Sequence, residues 1–201
     1  MSMKIVLIIL GALLAVFGIA QIFFLKTQKD IESYPYAVVK SYDDIEVRAY
    51  ESSLFTAVNL NTAGYDNTSS RGFSILAGYI FGNNDRNEKI AMTSPVSMSM
   101  EDSVTMMFMV PSTLDEASLP KPNQSQIDFV KEPARTMAAI RFGGWANDEK
   151  LEKYKVRLVE SLAKEGLTYK EPFYYFGYNA PYEVFKRRNE VVVELVDVNI
   201  P

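Results

Sequence analysis

The chain contains no histidine and no cysteine among its 201 residues, and only one tryptophan. Without cysteine there is no disulfide, no thiolate nucleophile and no zinc–sulfur centre. Without histidine there is no Ser-His-Asp triad, no imidazole base and no imidazole metal ligand. Acidic residues are missing from the first 29 positions. From Asp30 onward, 18 basic residues face 25 acidic ones, a formal charge of −7 against −4 for the whole chain. That balance repels phosphate backbones, so nucleic acid is not an expected partner. A phosphate-cradling loop is also missing, since Gly143-Gly144 lacks the further glycines and the lysine such a loop needs. The neighbouring carboxylates Asp43-Asp44, Glu101-Asp102 and Asp115-Glu116 fall at predicted turns, where solvation explains them. Acid–base catalysis needs two carboxyls in different environments. The chain is therefore not read as an enzyme, and no structural metal is expected.

The run "IVLIILGALLAVFGIAQIFFL", Ile5 to Leu25, carries no charge over 21 residues. A membrane-spanning helix needs about 20 apolar residues, whereas a signal-peptide core has roughly 7–15. The expectation is a single-pass, uncleaved signal anchor over residues 1–29, with residues 30–201 as a separate domain. A cleaved signal peptide and a buried core helix are the other readings. Lys4 on one side and Lys26 and Lys29 on the other leave the lysine rule undecided. A span so near the start favours a domain outside the cytoplasm.

Beyond the polar link Thr27–Pro35, the pattern turns to alternation. Tyr36–Leu60 reads as two or three strands, with Asp43-Asp44 at a hairpin turn. Asn61–Ser70 is a loop by composition. Arg71–Gly82 reads as a helix, with Phe73, Leu76, Ala77 and Ile80 at helical spacing and Gly82 at its end. "VSMSM" and "VTMMFMV" are strands. The order then repeats: "IDFVKEP" and "RTMAAIRFGG" as strands, Asn147–Gly166 as an amphipathic helix on Leu151, Tyr154, Leu158 and Leu162, and "PFYYFGYNAP" and "EVVVELV" as closing strands. The first helix carries few charges and has an unusually apolar outer face, as if covering something.

Two constellations carry the functional question. "KIAMTSPVSMSM", Lys89 to Met100, with Met106, Met107 and Met109 close behind, concentrates methionine. Packing, a wall for a flat apolar ligand, and a soft-metal thioether site are the three readings. Along these strands Met98 and Met100 share one face. Met107 and Met109 share another, with Met106 and Phe108 opposite them. In "NAPYEVFKRRNE", Asn179 to Glu190, Tyr182 and Phe185 supply aromatic surface, and Lys186, Arg187 and Arg188 supply adjacent cations. An exposed basic loop is one reading. A site for an apolar ligand bearing carboxylates is the other, with Arg71 joining from the first helix.

The segments "YAVVKSYDDIEVRAYE", "GYIFGNNDRNEKIAMTSPV", "RFGGWA" and "RRNEVVVEL" occur in this order at compatible distances. Together they resemble the SOUL haem-binding protein family, over about Tyr34 to Val196. The resemblance implies an α+β fold: a distorted antiparallel eight-stranded β-barrel of two pseudo-symmetric halves with two α-helices, here preceded by the N-terminal transmembrane helix. It also implies non-covalent binding of haem or a related tetrapyrrole, in an apolar cleft between the first helix and the loop before the last strand. On this chain those places are Arg71, Phe73, Leu76, Ala77 and Ile80, with Tyr182, Phe185 and Lys186 opposite. Lacking histidine, the chain would have to offer iron a Tyr, Met or Lys ligand, Tyr79 or Tyr182 among them, or no strong ligand. That suits a carrier, buffer or sensor. The methionines then mainly pack the barrel. A small-molecule effector-binding module, which shares the doubled architecture, and a protein-interaction domain are the alternatives.

Overall fold

The computed structural model describes residues 2–27, 31–180 and 183–196; within the N-terminal helix, side chains are described for residues 2–13 and 15–18. That helix, α1, spans Met3–Thr27. Its described apolar side chains, including Ile5, Leu7, Ile8, Leu10, Leu13 and Val16, are exposed. Among the described residues, no helix is long and apolar enough to cross a membrane. The described side chains of α1 stop short of the roughly 20 residues a span requires. The expected transmembrane helix is therefore not carried by the described residues.

The remainder builds one sheet. Its strands are β1 (Tyr36–Ser41), β2 (Ile45–Tyr50), β3 (Ser53–Asn59), β4 (Val96–Ser99), β5 (Thr105–Met109), β6 (Ile127–Glu132), β7 (Arg135–Phe142), β8 (Thr168–Gly177) and β9 (Asn189–Val196). They lie in the order β1-β2-β7-β9-β8-β4-β5-β3-β6, and all named pairs are antiparallel. Without β1 this order is a palindrome. Exchanging β2 with β6, β7 with β3, β9 with β5 and β8 with β4 returns the same sheet reversed. The two expected halves are thus present, related about the β4–β8 seam. Two details differ from expectation. The described sheet has nine strands rather than eight, because Tyr36–Leu60 forms three strands and β1 adds to the outer edge of β2. The sheet is also curled but open, with β1 and β6 as its edges.

Two helices cover one face: α2 (Tyr65–Ile80) and α3 (Asp148–Lys164). α3 follows its sequence pattern, burying Leu151, Leu158 and Leu162, with the Asn147 side chain accepting from Lys150 N at 2.9 Å as N-cap. α2 begins six residues before the expected Arg71. The reason is not local. The Asp148 carboxylate accepts from the backbone N–H of Tyr65 at 2.5 Å, and the Asp66 carboxylate accepts from Asp148 N at 3.3 Å. The two helix N-termini cap each other across the pseudo-twofold, which suits the negative side chains placed there. Gly82, with φ +111°, follows the end of α2 as expected.

Strand alternation splits the core in two. Ile45, Val47, Met98, Met106, Phe108, Phe173, Tyr175, Val191 and Val193 lie under the helices. Tyr50, Phe55, Met107, Met109, Met137, Phe176 and Val192 form a second cluster on the other face, joined by Tyr34. The methionines divide between the faces as the alternation requires. On the second face a buried ionic group ties β9 to β2 and to the residue that follows β8. Glu190, fully buried, accepts from Arg48 at 2.7 and 3.0 Å, from Arg188 at 2.9 Å and from Tyr178 at 2.8 Å. Burial raises the carboxyl's pKa, but hydrogen bonding and charge from Arg48, then Arg188, outweigh it and hold the group below the usual carboxylate value.

Candidate functional site

A groove opens at the seam between the halves, beside α2. Its floor comes from facing strands. Val96 pairs with Gly177, and Met98 pairs with Tyr175 on one side and Met106 on the other. The side chains of Val96, Met98, Met106 and Tyr175 lie on the helix face, since alternate positions share a face. One wall is α2, which presents Tyr65, Ser69, Ser70, Phe73 and Ser74. The far wall is Trp145, Asn179 and Arg187, from the loops before α3 and β9. The groove's volume is ≈ 360 Å³, within the range of roughly 300–1,000 Å³ typical of small-molecule pockets.

The aromatic walls are braced. Phe73 packs on Phe108 with ring centroids 5.4 Å apart, and Tyr65 meets Tyr175 edge-on at 5.1 Å. Tyr175 donates to Asn189 Oδ1 at 2.8 Å, and Asn189 donates to the Gly144 carbonyl at 2.7 Å, which pins the Trp145 loop to the start of β9. A β-carbon at position 177 would stand 2.6 Å from the Tyr175 hydroxyl, so the ring's lean over the floor requires glycine there.

Arg187 gives the groove its charge. Its residue exposure is only 8%. The guanidinium stacks on Trp145 at 4.0 Å from the ring centroid and donates to the carbonyls of Ala180 at 2.9 Å and Glu183 at 2.6 Å. Its Nε is buried without a hydrogen-bond partner. Among the described residues no carboxylate forms an ion pair with it; the Glu183 carboxylate instead accepts from Asn179 at 2.7 Å. Buried charges are usually paired, and this one has only carbonyls and a ring.

A second space of ≈ 310 Å³ adjoins the first, sharing Tyr65, Met98 and Tyr175 with it. Glu101, Asp102, Asp148 and Glu152 line that space. The two chambers thus have opposite polarity, with Arg187 at one end, carboxylates at the other and the Tyr65–Tyr175 pair between.

The residues expected from sequence are only partly brought together here. Phe73 lines the groove. Leu76, Ala77 and Ile80 are a correction: they are buried, at 0%, 7% and 4% exposure, and pack into the core beneath α2. The helix's apolar positions face the sheet, and the groove takes its serine-rich flank. Arg71 is exposed and does not line the groove. Phe185 and Lys186 are exposed on the loop before β9, outside the lining. Tyr182 lies outside the described residues. Of the three adjacent cations, Lys186 faces out, Arg187 lines the groove and Arg188 turns to Glu190. Tyr65, Trp145 and Tyr175 were not singled out from sequence; Met98 and Arg187 stood in the methionine and basic constellations but not among the cleft residues the resemblance implied. Alternation run back from Val191 and Val193 puts Arg187 on the helix face, and that signal was present in the sequence.

No group of three or more metal-ligating Asp, Glu, His or Cys side chains exists among the described residues. Tyr79 is no iron ligand in this groove: its hydroxyl donates to the Pro120 carbonyl at 2.9 Å, and burial pushes its pKa up to about 12. Burial, then the neighbouring Tyr65, pushes the Tyr175 phenol far above the ordinary tyrosine value, which opposes a phenolate there. The donor set therefore fits the apolar plate and one carboxylate of a tetrapyrrole, without a strong axial ligand from these tyrosines.

Comparison with known proteins places relatives beside this chain. The sequence profile described as "SOUL heme-binding protein" matches residues 31–194. Mouse heme-binding protein 2 (Mus musculus) is 28% identical over 176 residues, 83% of this chain and 82% of its own length. Human heme-binding protein 2 (Homo sapiens) is 28% identical, covering 73% of this chain and 75% of its own. Mouse heme-binding protein 1 (Mus musculus) is 26% identical, covering 80% and 91%. Among solved structures, the EcmrR C-terminal domain superposes with a TM-score of 0.61 at 10% identity, covering 81% of this chain and 99% of that one. A hydrolase from Listeria innocua gives a TM-score of 0.55 at 8% identity, covering 79% and 94%. These two likenesses concern the fold alone.

Proposed function

This chain belongs to the SOUL haem-binding protein family, and on that premise we propose that it binds haem or a related tetrapyrrole in the seam groove, as a carrier, buffer or sensor. The observation that carries the reading is Arg187: a buried cation without an ion-pair partner among the described residues, at the end of an aromatic groove. Phe73, Tyr65, Tyr175 and Met98 would lie against the ring, and Arg187 would pair with one carboxylate. The carboxylates of the second chamber repel the ligand's own acids, so the acid end faces Arg187. Haem would bring its iron and conjugated ring. The chain contributes burial, at roughly 25 cal/mol per Å² of apolar surface before entropic losses, and orientation by charge. Histidine plays no part, and affinity should not depend on the iron.

The same polarity supports a second reading, an effector with an anionic and a cationic end spanning both chambers. Titrating the domain, residues 30–201, with haemin and metal-free protoporphyrin separates the two. That domain holds every described member of both hydrophobic clusters. Saturable one-to-one binding of both tetrapyrroles supports the first reading. Binding of neither leaves only the second.

The location is also proposed. We read α1 as a single-pass anchor holding the domain outside the cytoplasm. Its exposed apolar side chains and the uncharged run Ile5–Leu25 support this. Retention of the full chain in vesicles after alkaline carbonate washing tests the anchor, and protease accessibility in intact cells tests the side.

A further inference from the structure

Three apolar side chains stand exposed beside the groove: Trp145 at 54%, Phe185 at 54% and Val184 at 40%. They belong to two loops that pack together, since Arg187 stacks on Trp145 and Asn189 donates to Gly144. Lys186, exposed among them with φ +52°, adds a positive charge on a domain whose net charge is negative. Aromatic and aliphatic side chains around a lysine are the composition of a surface that settles into lipid headgroups.

The chain's path places this patch near the anchor. The segment entering the domain runs beside the start of β4: Tyr34 N donates to the Ser94 carbonyl at 2.8 Å, and Ser94 N donates to the Glu32 carbonyl at 2.9 Å. Val96, two residues on, lines the groove. Thr27, the last residue of α1, precedes Ser33 by six residues, a reach of at most about 20 Å. A compact domain of this size is about 40 Å across. The tether therefore keeps the groove's end of the domain within about 20 Å of the bilayer.

We infer that the rim formed by Trp145, Val184, Phe185 and Lys186 docks on the lipid surface to which α1 tethers the domain, so that the groove opens onto the bilayer. The inference rests on the anchor reading of α1. The ligand class it implies is amphipathic and lipid-partitioned, entering from the headgroup layer with its acid end toward Arg187.

Trp145 is the only tryptophan of the chain, so in the absence of ligand its emission reports on this one place at the groove's wall and rim. The test uses the full chain, without ligand, in phosphatidylcholine–phosphatidylglycerol vesicles carrying a nitroxide-labelled lipid at shallow depth. The protein should float with the vesicles after carbonate washing, and the shallow nitroxide should at least halve Trp145 emission. The double variant Phe185→Ser with Lys186→Glu should float equally and recover most of the emission. Flotation with emission untouched by the nitroxide overturns the docking and leaves the anchor standing. Failure to float overturns the anchor, and the docking with it.

Discussion

Glu190 and Arg187 stand three residues apart and do opposite things with charge. Glu190 gathers two arginines and a tyrosine on the second face of the sheet, where all partners are satisfied. Removing one partner of a buried pair strands the other, at a cost of roughly 3–5 kcal/mol. Glu190→Gln should lower stability by that order at neutral pH, read as a lower urea midpoint with unchanged slope. The pH dependence has a definite sign. A carboxyl held below its ordinary value stabilises the fold above that value and loses this contribution as pH falls through its folded pKa. The gap between wild type and Glu190→Gln should therefore be full at neutral pH and close in acid, below about pH 4. Gly177 acts on the groove in a different way. Gly177→Ala brings a methyl group to 2.6 Å from the Tyr175 hydroxyl, so the ring or the strand must shift. Tetrapyrrole affinity should fall several-fold while the urea midpoint moves less than for Glu190→Gln, a split seen by running both assays on one preparation.

Among the elements, α2 shows what sequence patterning can and cannot deliver. Its apolar spacing marked the side that packs on the sheet, and Leu76, Ala77 and Ile80 are buried there. Helical periodicity identifies the core-facing stripe, whereas the groove is lined by the flank, by Ser69, Ser70, Phe73 and Ser74. The start of α2 was illegible for another reason: its cap is Asp148, more than eighty residues away. Local composition around Asn61–Ser70 contains no sign of that partner. Asp148→Ala removes the cap of α2 and should cost about 1 kcal/mol, seen as a lower melting temperature. Asp66→Ala in the same background should add less than its own single effect, because the two aspartates bridge the same pair of helix ends. Strands and α3 were more legible. Period-two alternation and the apolar stripe Leu151, Leu158 and Leu162 are local signals, and the structure follows them closely.

At the scale of the molecule, the doubled strand–helix order forecast two halves, and the palindromic sheet contains them. The ninth strand and the open edges were less legible, because strand count depends on whether β1 finds a partner, which alternation alone does not state. The seam between the halves is where side chains from both converge, and the groove lies there. Each half contributes: Val96, Met98 and Phe73 from the first, Tyr175, Trp145 and Arg187 from the second. A site of this kind is dispersed over more than a hundred positions. The resemblance implied a cleft between the first helix and the loop before the last strand, and the fold brings the groove-lining side chains together there. Because both hydrophobic clusters of the described residues lie between positions 34 and 195, deleting residues 1–29 should leave tetrapyrrole affinity within twofold of the full chain in nanodiscs while abolishing flotation with vesicles.

The most direct test of the central claim is a titration of residues 30–201 with metal-free protoporphyrin, wild type beside Arg187→Gln, followed through Trp145 emission and porphyrin absorbance. The account predicts one site per chain in the wild type. Losing a charge-assisted hydrogen bond of about 1.5–3 kcal/mol should weaken binding by roughly tenfold to a hundredfold in the variant, with Arg187→Lys in between. Saturable binding with equal affinity in both proteins, or none in the wild type, would contradict it.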